Sequence, residues 1–187
     1  MKVIFLDHDG VVCLSNNWGG RFKKRAKFLK ENSSASPEDV SPVEVRFDDF
    51  DKKAIKVLNK ILSETDAEIV VSSDWKRHAT LEELGDYYTQ QGVIKKPIAL
   101  TGYFEDLFPS EWTSRRFRAD LEFERAKEIT HWLSENKNVT NWVAVDDLNM
   151  SEDFLQDSGL SNFVHTPKSN EGIKQVGIKE KILSFLI

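Results

Sequence analysis

The sequence has little cysteine, no long apolar run and no excess of positive charge. Its single cysteine, Cys13, excludes an internal disulfide framework and is typical of a reducing compartment, so we expect a cytoplasmic protein. The N-terminal apolar run stops at Asp7 after a few residues, which predicts that there is no signal peptide. No stretch approaches the roughly 20 apolar residues of a membrane span, and we therefore expect no membrane partner.

The charge balance excludes one further class of protein. Lysine and arginine number 26 against 31 aspartates and glutamates, which gives a formal net charge of -5. This argues against a surface coated with positive charge for binding nucleic acid, while a local basic site stays compatible with it. The length of 187 residues predicts one domain over 1–187, and the 40% apolar fraction is sufficient for a hydrophobic core.

Apolar runs and helical spacings alternate along the chain. Strands are predicted at 3–6, 67–71, 98–102, 142–145 and 162–165, and helices at 50–63, 80–91, 121–136 and 172–186. This alternation predicts an α/β fold, a Rossmann-like three-layer sandwich with a central parallel sheet. Residues 13–45 carry glycine, serine and proline clusters, and they predict an irregular small flap or cap insertion directly after the first strand.

Polar clusters follow three of the predicted strands. Asp7 and Asp9 come after the first strand, Ser72 and Ser73 follow the strand at 67–71, and the pair Asp146-Asp147 ends the strand at 142–145. Because the carboxyl ends of parallel strands lie at one edge of a sheet, we expect these side chains to meet. Carboxylates brought together repel each other unless a cation or a shared proton relieves them. The pattern therefore indicates a metal site, an acid/base pair, or both.

Each cluster also has an ordinary structural explanation. Aspartate, serine and glycine are common turn residues, so the first two clusters are compatible with strands that simply end there. The Asp146-Asp147 pair is equally compatible with the N-cap of a following helix. Arg125 and Lys127 lie on a charged predicted helix, where a solvated surface position is the usual outcome.

Taken together, the clusters resemble the motifs of the haloacid dehalogenase-like (HAD) superfamily of phosphotransferases. The match consists of Asp7-x-Asp9-Gly10-Val11 for the first motif, Ser72 or Ser73 for the second, a basic residue at 125–127 for the third and Asp146-Asp147 for the fourth. The run Ser72-Ser73-Asp74-Trp75-Lys76-Arg77 and the pattern Glu128-Ile129-x-x-Trp132-Leu133 are similar to HAD domains associated with RNA-repair proteins.

The resemblance implies a role for each motif residue. Asp7 would be the nucleophile that forms an aspartyl-phosphate, and Asp9 would serve as the general acid and base. Ser72 would hydrogen-bond a phosphate oxygen, and Lys127 or Arg125 would neutralise the phosphoryl charge.

The resemblance also implies a Mg²⁺ ion. Its ligands would be Asp7, the carbonyl of Asp9 and the pair Asp146 and Asp147, and oxygen ligands of this kind suit a hard cation. The implied activity is a Mg²⁺-dependent phosphomonoester hydrolase, and a small-metabolite phosphatase or a catalytically idle phosphate-binding module are the alternatives.

Two basic and aromatic stretches bear on the substrate. Residues 21–30 interleave arginine and lysine with apolar residues, and residues 115–118 with Trp112 form a second patch. Basic residues bind phosphates and aromatic rings stack on bases, so the favoured substrate is a nucleotide or a nucleic-acid phosphate end, with Lys23, Lys24 and Lys27 as contacts. The alternative for the first stretch is an amphipathic helix that buries its apolar residues Phe22, Phe28 and Leu29. The oligomeric state has no signal in the sequence.

Overall fold

The computed structural model describes residues 1–32, 41–112 and 118–187, and its centre is a parallel β-sheet. The strands are β1 (Lys2–Leu6), β2 (Glu68–Val71), β3 (Ala99–Leu100), β4 (Asn141–Asp146) and β5 (Phe163–His165). They are ordered β3-β2-β1-β4-β5, and every pairing between them is parallel. The strand β1 is therefore central, with Leu6 beside Val71 on one side and Val145 on the other. The predicted α/β fold with a parallel sheet is confirmed.

Helices pack on both faces of the sheet, because the central parts of β1, β2 and β4 are apolar and buried. They are α1 (Gly20–Glu31), α2 (Val43–Arg46), α3 (Lys52–Thr65), α4 (Leu81–Gln90), α5 (Phe104–Leu107), α6 (Arg118–Glu135), α7 (Glu152–Leu155) and α8 (Ile178–Leu186). Because successive strand side chains alternate, Ile4 and Leu6 face the core formed with α3, α4 and α8, while Val3 and Phe5 face α6. Each fully buried side chain of this size contributes about 1.5–3 kcal/mol.

Side-chain caps fix the helices that support the sheet. Asp51 accepts hydrogen bonds from the backbone N–H groups of Lys53 and Ala54 at the start of α3. Thr80 and Glu83 form a reciprocal capping box at the start of α4. Predicted helices at 50–63 and 80–91 are thus observed within two residues of their expected limits. No helix in the described part of the chain is both long and apolar enough to cross a membrane.

The segment after β1 differs from its prediction. Residues 13–45 were expected to be irregular, but they contain the twelve-residue helix α1 and the short helix α2. The alternative of a helix over residues 21–30 is confirmed, but its apolar face is not buried, because Phe22 is 65% exposed and Leu29 is 44% exposed. Contacts from outside the helix hold α1 in place, as described below. The serine and proline cluster at 33–37 lies outside the described residues.

The C-terminal helix is shorter than the sequence predicts. A helix over 172–186 was expected, whereas α8 begins at Ile178. Gly177 has a φ of 84°, and this left-handed conformation separates α8 from the 3-10 turn at Gly172–Lys174. The second basic patch, 115–118, falls almost entirely outside the described residues.

Candidate active site

Three carboxylates meet where β1 and β4 end. Asp7 follows β1, and its backbone N–H donates to the carbonyl of Val145 at 3.1 Å, which ties it to the end of β4. Asp7, Asp146 and Asp147 each offer a carboxylate oxygen, and these atoms lie within 4.8 Å of one another. The structure therefore brings together three of the four residues that the sequence nominates as metal ligands.

The carboxylate cluster is buried, and burial dominates its electrostatics. Asp7 is 4% exposed and Asp146 is 1% exposed. Burial, and then the charge of Asp146, raise the pKa of Asp7 well above its usual value, against the opposing effect of Arg125. Burial raises the pKa of Asp146 to about 6, again opposed by Arg125. One guanidinium does not compensate three carboxylates, so the donor set fits a hard divalent cation such as Mg²⁺.

Gly10 allows the fourth-motif carboxylate to approach the first. Its φ is 74°, and a Cβ built on it would lie 2.8 Å from the Cβ of Asp147. The turn is closed by the carbonyl of His8, which accepts from the backbone N–H groups of Val11, Val12 and Cys13. A side chain at Gly10 would thus strain the turn and displace Asp147.

Arg125 and Lys127 differ completely in their surroundings. Nη1 of Arg125 lies 3.0 Å from Oδ1 of Asp7 and 3.0 Å from Oδ2 of Asp146. Nζ of Lys127 instead pairs with the carboxylate of Glu111 at 2.6 Å and lies 4.1 Å from the ring centroid of Phe108. The structure brings Arg125 to the carboxylate cluster and leaves Lys127 outside it.

Ser72 and Ser73 are distinguished by their hydroxyl groups. Oγ of Ser73 accepts a hydrogen bond from the backbone N–H of Trp75 at 3.5 Å, as the cap of a short 3-10 turn. Ser72 is 1% exposed, and its Oγ has no hydrogen-bond partner among the described residues. An unpaired buried hydroxyl costs about 1–3 kcal/mol, so a ligand oxygen at this position would restore a lost hydrogen bond. The backbone N–H of Ser72 donates to the carbonyl of Leu6, which places Ser72 beside Asp7.

The carboxylate of Asp9 stands apart from the other three. Its Oδ2 accepts a hydrogen bond from Nε1 of Trp75 at 2.9 Å. Burial raises the pKa of Asp9, with the Trp75 hydrogen bond opposing, and the raised pKa favours the protonated form that a general acid needs. Asp9 also lines a cavity of about 440 Å³. The other lining residues are Arg21, Phe22, Arg25, Ser41, Val45, Arg46, Phe47, Asp74, Trp75 and His78.

Sequence reasoning missed a buried cation next to this edge. Nζ of Lys76 donates to Oε2 of Glu128 at 2.5 Å, to Oγ1 of Thr101 and to the carbonyl of Gly102. Burial lowers the pKa of Lys76, and the carboxylate of Glu128 opposes this shift. A lysine in a turn is normally solvated. The sequence feature that could have indicated this pair is Glu128, which lies one helical turn after Arg125.

His8, between the two first-motif aspartates, is buried among aromatic side chains. Its Nε2 lies 2.7 Å from the hydroxyl of Tyr88, and its ring lies 4.4 Å from that of Trp75. Burial lowers the pKa of His8 to about 3, so the ring is neutral at physiological pH. It adds no positive charge to the carboxylate cluster.

One comparison with known proteins gives a match. A family model described as "HAD domain in Swiss Army Knife RNA repair proteins" matches residues 3–176. The chain belongs to this family, as its motifs suggested. Neither the curated proteins nor the solved structures include a significant match to the chain. Membership supports a phosphatase-type activity in the context of RNA repair, and HAD proteins generally use Mg²⁺.

Proposed function

We propose that this HAD domain is a Mg²⁺-dependent phosphomonoesterase that works through an aspartyl-phosphate on Asp7, with a nucleic-acid phosphate end as substrate. The observation that carries the proposal is the surroundings of Asp7. Its carboxylate lies against Arg125 and among the acidic groups of Asp146 and Asp147, and the neighbouring strand end carries Ser72, whose buried hydroxyl has no partner among the described residues. A nucleophile, a cation and an unused hydroxyl donor are the groups that phosphoryl transfer requires.

The first half of the reaction uses the two aspartates of the first motif. An Asp7 carboxylate oxygen forms a bond to phosphorus while the bond from phosphorus to the leaving oxygen breaks. Asp9 gives its proton to that oxygen, and this matches its raised pKa and its position at the cavity. Acid catalysis of this kind contributes about 10²–10⁴-fold.

The second half reverses the role of Asp9. Its carboxylate takes a proton from water, and the water oxygen forms a bond to phosphorus as the bond to Asp7 breaks. Inorganic phosphate leaves, and Asp7 is regenerated as a carboxylate. Ser72 donates to a phosphoryl oxygen and Arg125 offsets its charge in both steps.

The metal would be held by Asp7, Asp146 and Asp147, with the carbonyl of Asp9 as a fourth ligand. When bound, Mg²⁺ supplies positive charge that lowers the repulsion between the phosphate and the carboxylates. The chain positions these ligands through the ends of β1 and β4 and through the tight turn at Gly10.

The test is phosphate release by the Asp7→Asn variant, measured with a generic aryl phosphate and with 3′- and 5′-phosphorylated oligonucleotides. Activity should fall to below about 1% of the wild type with the melting temperature retained, because the amide keeps the shape and removes the nucleophile. Asp86→Asn serves as the matched control, since Asp86 is an exposed aspartate that pairs with Lys96 on the surface. Excess chelator should abolish wild-type turnover.

Two results would contradict the proposal. Retention of more than a few per cent of activity by Asp7→Asn excludes the covalent step. Wild-type turnover that persists without any divalent ion excludes the metal. If the wild type binds phosphorylated oligonucleotides but hydrolyses no ester, the domain is the idle binding module.

A further inference from the structure

We propose that helix α1 recognises a second phosphate, so that the domain prefers the phosphorylated end of a polynucleotide to a mononucleotide. In this proposal Arg25 and Arg21 bind the phosphodiester next to the reacting phosphate. The inference rests on the proposed function in one respect: Asp9 protonates the leaving oxygen, so the leaving group lies on the Asp9 side of Asp7.

The position of the cavity supports this assignment. Its wall includes both Asp9 and residues of α1. A volume of about 440 Å³ falls within the roughly 300–1,000 Å³ of sites that hold small organic ligands. A leaving group that starts at Asp9 would therefore extend toward Arg21, Phe22 and Arg25.

The aromatic groups of the cavity suit a nucleobase. Phe47 and Trp75, which are 2% and 4% exposed, stack on each other with their ring centroids 4.2 Å apart, and they form an apolar wall of the cavity. Phe22 is 65% exposed, and the guanidinium carbon of Arg21 lies 5.2 Å from its ring centroid. An exposed aromatic ring next to a guanidinium is a surface on which any base can stack, largely independent of sequence.

The cations of the cavity differ in whether the protein already neutralises them. Arg46 is committed to the carboxylate of Glu83 and to the carbonyls of Ser41 and His78. Arg21 has one distant ion pair, 3.8 Å from Asp48. Arg25 is exposed and makes no hydrogen bond or ion pair with any residue in the part of the chain that the structure describes. Arg25 is therefore the cation most available to an anionic ligand.

The lysines of the same helix are placed differently. Nζ of Lys24 pairs with the carboxylate of Asp49 at 2.8 Å. Lys23 and Lys27 are exposed and are not among the described residues that line the cavity. Because residues four apart share a helix face and residues two apart do not, Arg21 and Arg25 form the cavity side while Lys23 lies away from it. In this proposal Arg21 and Arg25 therefore make the phosphate contacts that the sequence predicts for Lys23, Lys24 and Lys27.

The experiment compares Arg25→Gln with Lys23→Gln, which removes one charge from the other side of the same helix. Steady-state kinetics are measured with a phosphorylated RNA hexanucleotide, the corresponding mononucleotide and an aryl phosphate. Arg25→Gln should raise KM for the hexanucleotide by about tenfold, the effect of losing one charge-assisted contact to phosphate. It should leave the aryl phosphate unchanged, and Lys23→Gln should change none of the three.

A binding measurement separates this inference from the proposed function. Fluorescence anisotropy with a labelled, phosphorylated hexanucleotide reports affinity whether or not turnover occurs. In a plot of the logarithm of affinity against the logarithm of salt concentration, each contact to a single-strand phosphate contributes a slope of roughly -0.7. The Arg21→Gln, Arg25→Gln double variant should therefore make the slope shallower by about 1.4. Equal affinities and equal slopes for Arg25→Gln and Lys23→Gln would overturn the inference and leave the phosphatase intact. Absence of turnover in the wild type would overturn the proposed function alone.

Discussion

The carboxyl edge of the sheet and helix α1 are built on opposite physical principles. At the edge, Asp7, Arg125 and Asp146 are almost fully buried, and Arg125 forms an ion pair with each of the two aspartates. In α1 no residue is buried, and most of its charged side chains are exposed. The edge is fixed by desolvated charges at the ends of β1 and β4 and on α6, whereas α1 is an outlying helix held by a few polar contacts.

The two regions therefore differ in how far each can be substituted without loss of the folded state. A buried charge network fails as a unit, because removal of one partner leaves another charge uncompensated in a low dielectric. An exposed helix tolerates substitution, since surface charges contribute little to stability. We therefore expect the chemistry to depend on the edge and the choice of substrate to depend on α1.

The largest difference should appear in two lysine-to-methionine variants, one from each region. Lys76→Met leaves the buried Glu128 carboxylate without its cation and should cost about 3–5 kcal/mol of unfolding free energy. Lys24→Met breaks the exposed pair with Asp49 and should cost about 0–1 kcal/mol. Urea unfolding of both variants measures the two values. Equal losses would contradict the contrast between the regions.

A second pair of variants sharpens the contrast within the edge itself. Arg125→Met should lower kcat on an aryl phosphate by about 10²–10³-fold, the loss typical of one preorganised group that stabilises transition-state charge. Lys127→Met, two residues along α6, should change kcat less than twofold, since Lys127 pairs with Glu111.

Arg125→Lys accompanies this pair because Arg125→Met leaves Asp7 and Asp146 facing each other. The lysine keeps the positive charge and loses the planar fork, so it should fold normally and recover only part of the rate. A Lys127→Met variant as inactive as Arg125→Met would move the phosphate-binding cation away from Arg125.

The choice between Arg125 and Lys127 also marks the limit of what the sequence predicts. The buried strands are continuous apolar runs, so their positions along the chain can be predicted from the sequence. Because a parallel sheet brings the carboxyl ends of its strands to one edge, the proximity of Asp7 and Asp146 can be predicted as well. Arg125 and Lys127 lie on the same charged helix and differ in the direction in which they project from its axis. Which of them faces the carboxylates depends on how α6 packs on β1 and β4. Likewise Ser72 and Ser73 point in different directions, and only the register beside Leu6 distinguishes them.

A helix was one of two alternatives for the stretch that forms α1, and the sequence could not decide between them because the contacts that hold this helix come from outside it. None of its apolar residues is buried, and a helix of twelve residues is marginal alone. Its N-cap, Gly19, has no side chain to offer. The carboxylate of Asp48, 29 residues further along the chain, accepts from the backbone N–H of Gly19 at 3.1 Å and from that of Arg21 at 2.6 Å. No local pattern could reveal a cap supplied from that distance.

Asp48→Ala should therefore loosen α1 and leave the sheet edge intact. Loss of a capping carboxylate costs about 0.5–2 kcal/mol, and the amides of α1 should exchange with solvent faster while those of β1 keep their protection. KM for the phosphorylated hexanucleotide should rise, and turnover of an aryl phosphate should stay the same. Asp49→Ala is the control, because its carboxylate contacts Lys24 without capping the helix. Faster exchange in β1 would show that the two regions are not separable.

The smallest expected effect on stability concerns the ion pair between Arg46 of α2 and Glu83 of α4. The hydrogen bond from Arg46, and then that from the backbone of Thr80, lower the pKa of Glu83 from 4.5 to about 2. A lowered carboxyl pKa stabilises the folded state above pH 4.5, and this contribution is lost as the pH falls from 4.5 towards 2. The pair is partly exposed, so its contribution should be below about 1 kcal/mol.

Glu83→Gln isolates this contribution from the other carboxylates. Asp7 and Asp146 have raised pKa values, so their effect on the pH dependence of stability has the opposite sign to that of Glu83. Both groups are present in the wild type and in Glu83→Gln, so their effect cancels in the difference between these two proteins. The difference in unfolding free energy between the wild type and Glu83→Gln should be greatest near neutral pH and should shrink as the pH approaches 2. Urea unfolding at pH 7, 4 and 3 measures it. A difference that is independent of pH would mean that α2 is held by Val43 and Phe47 in the core and not by this ion pair.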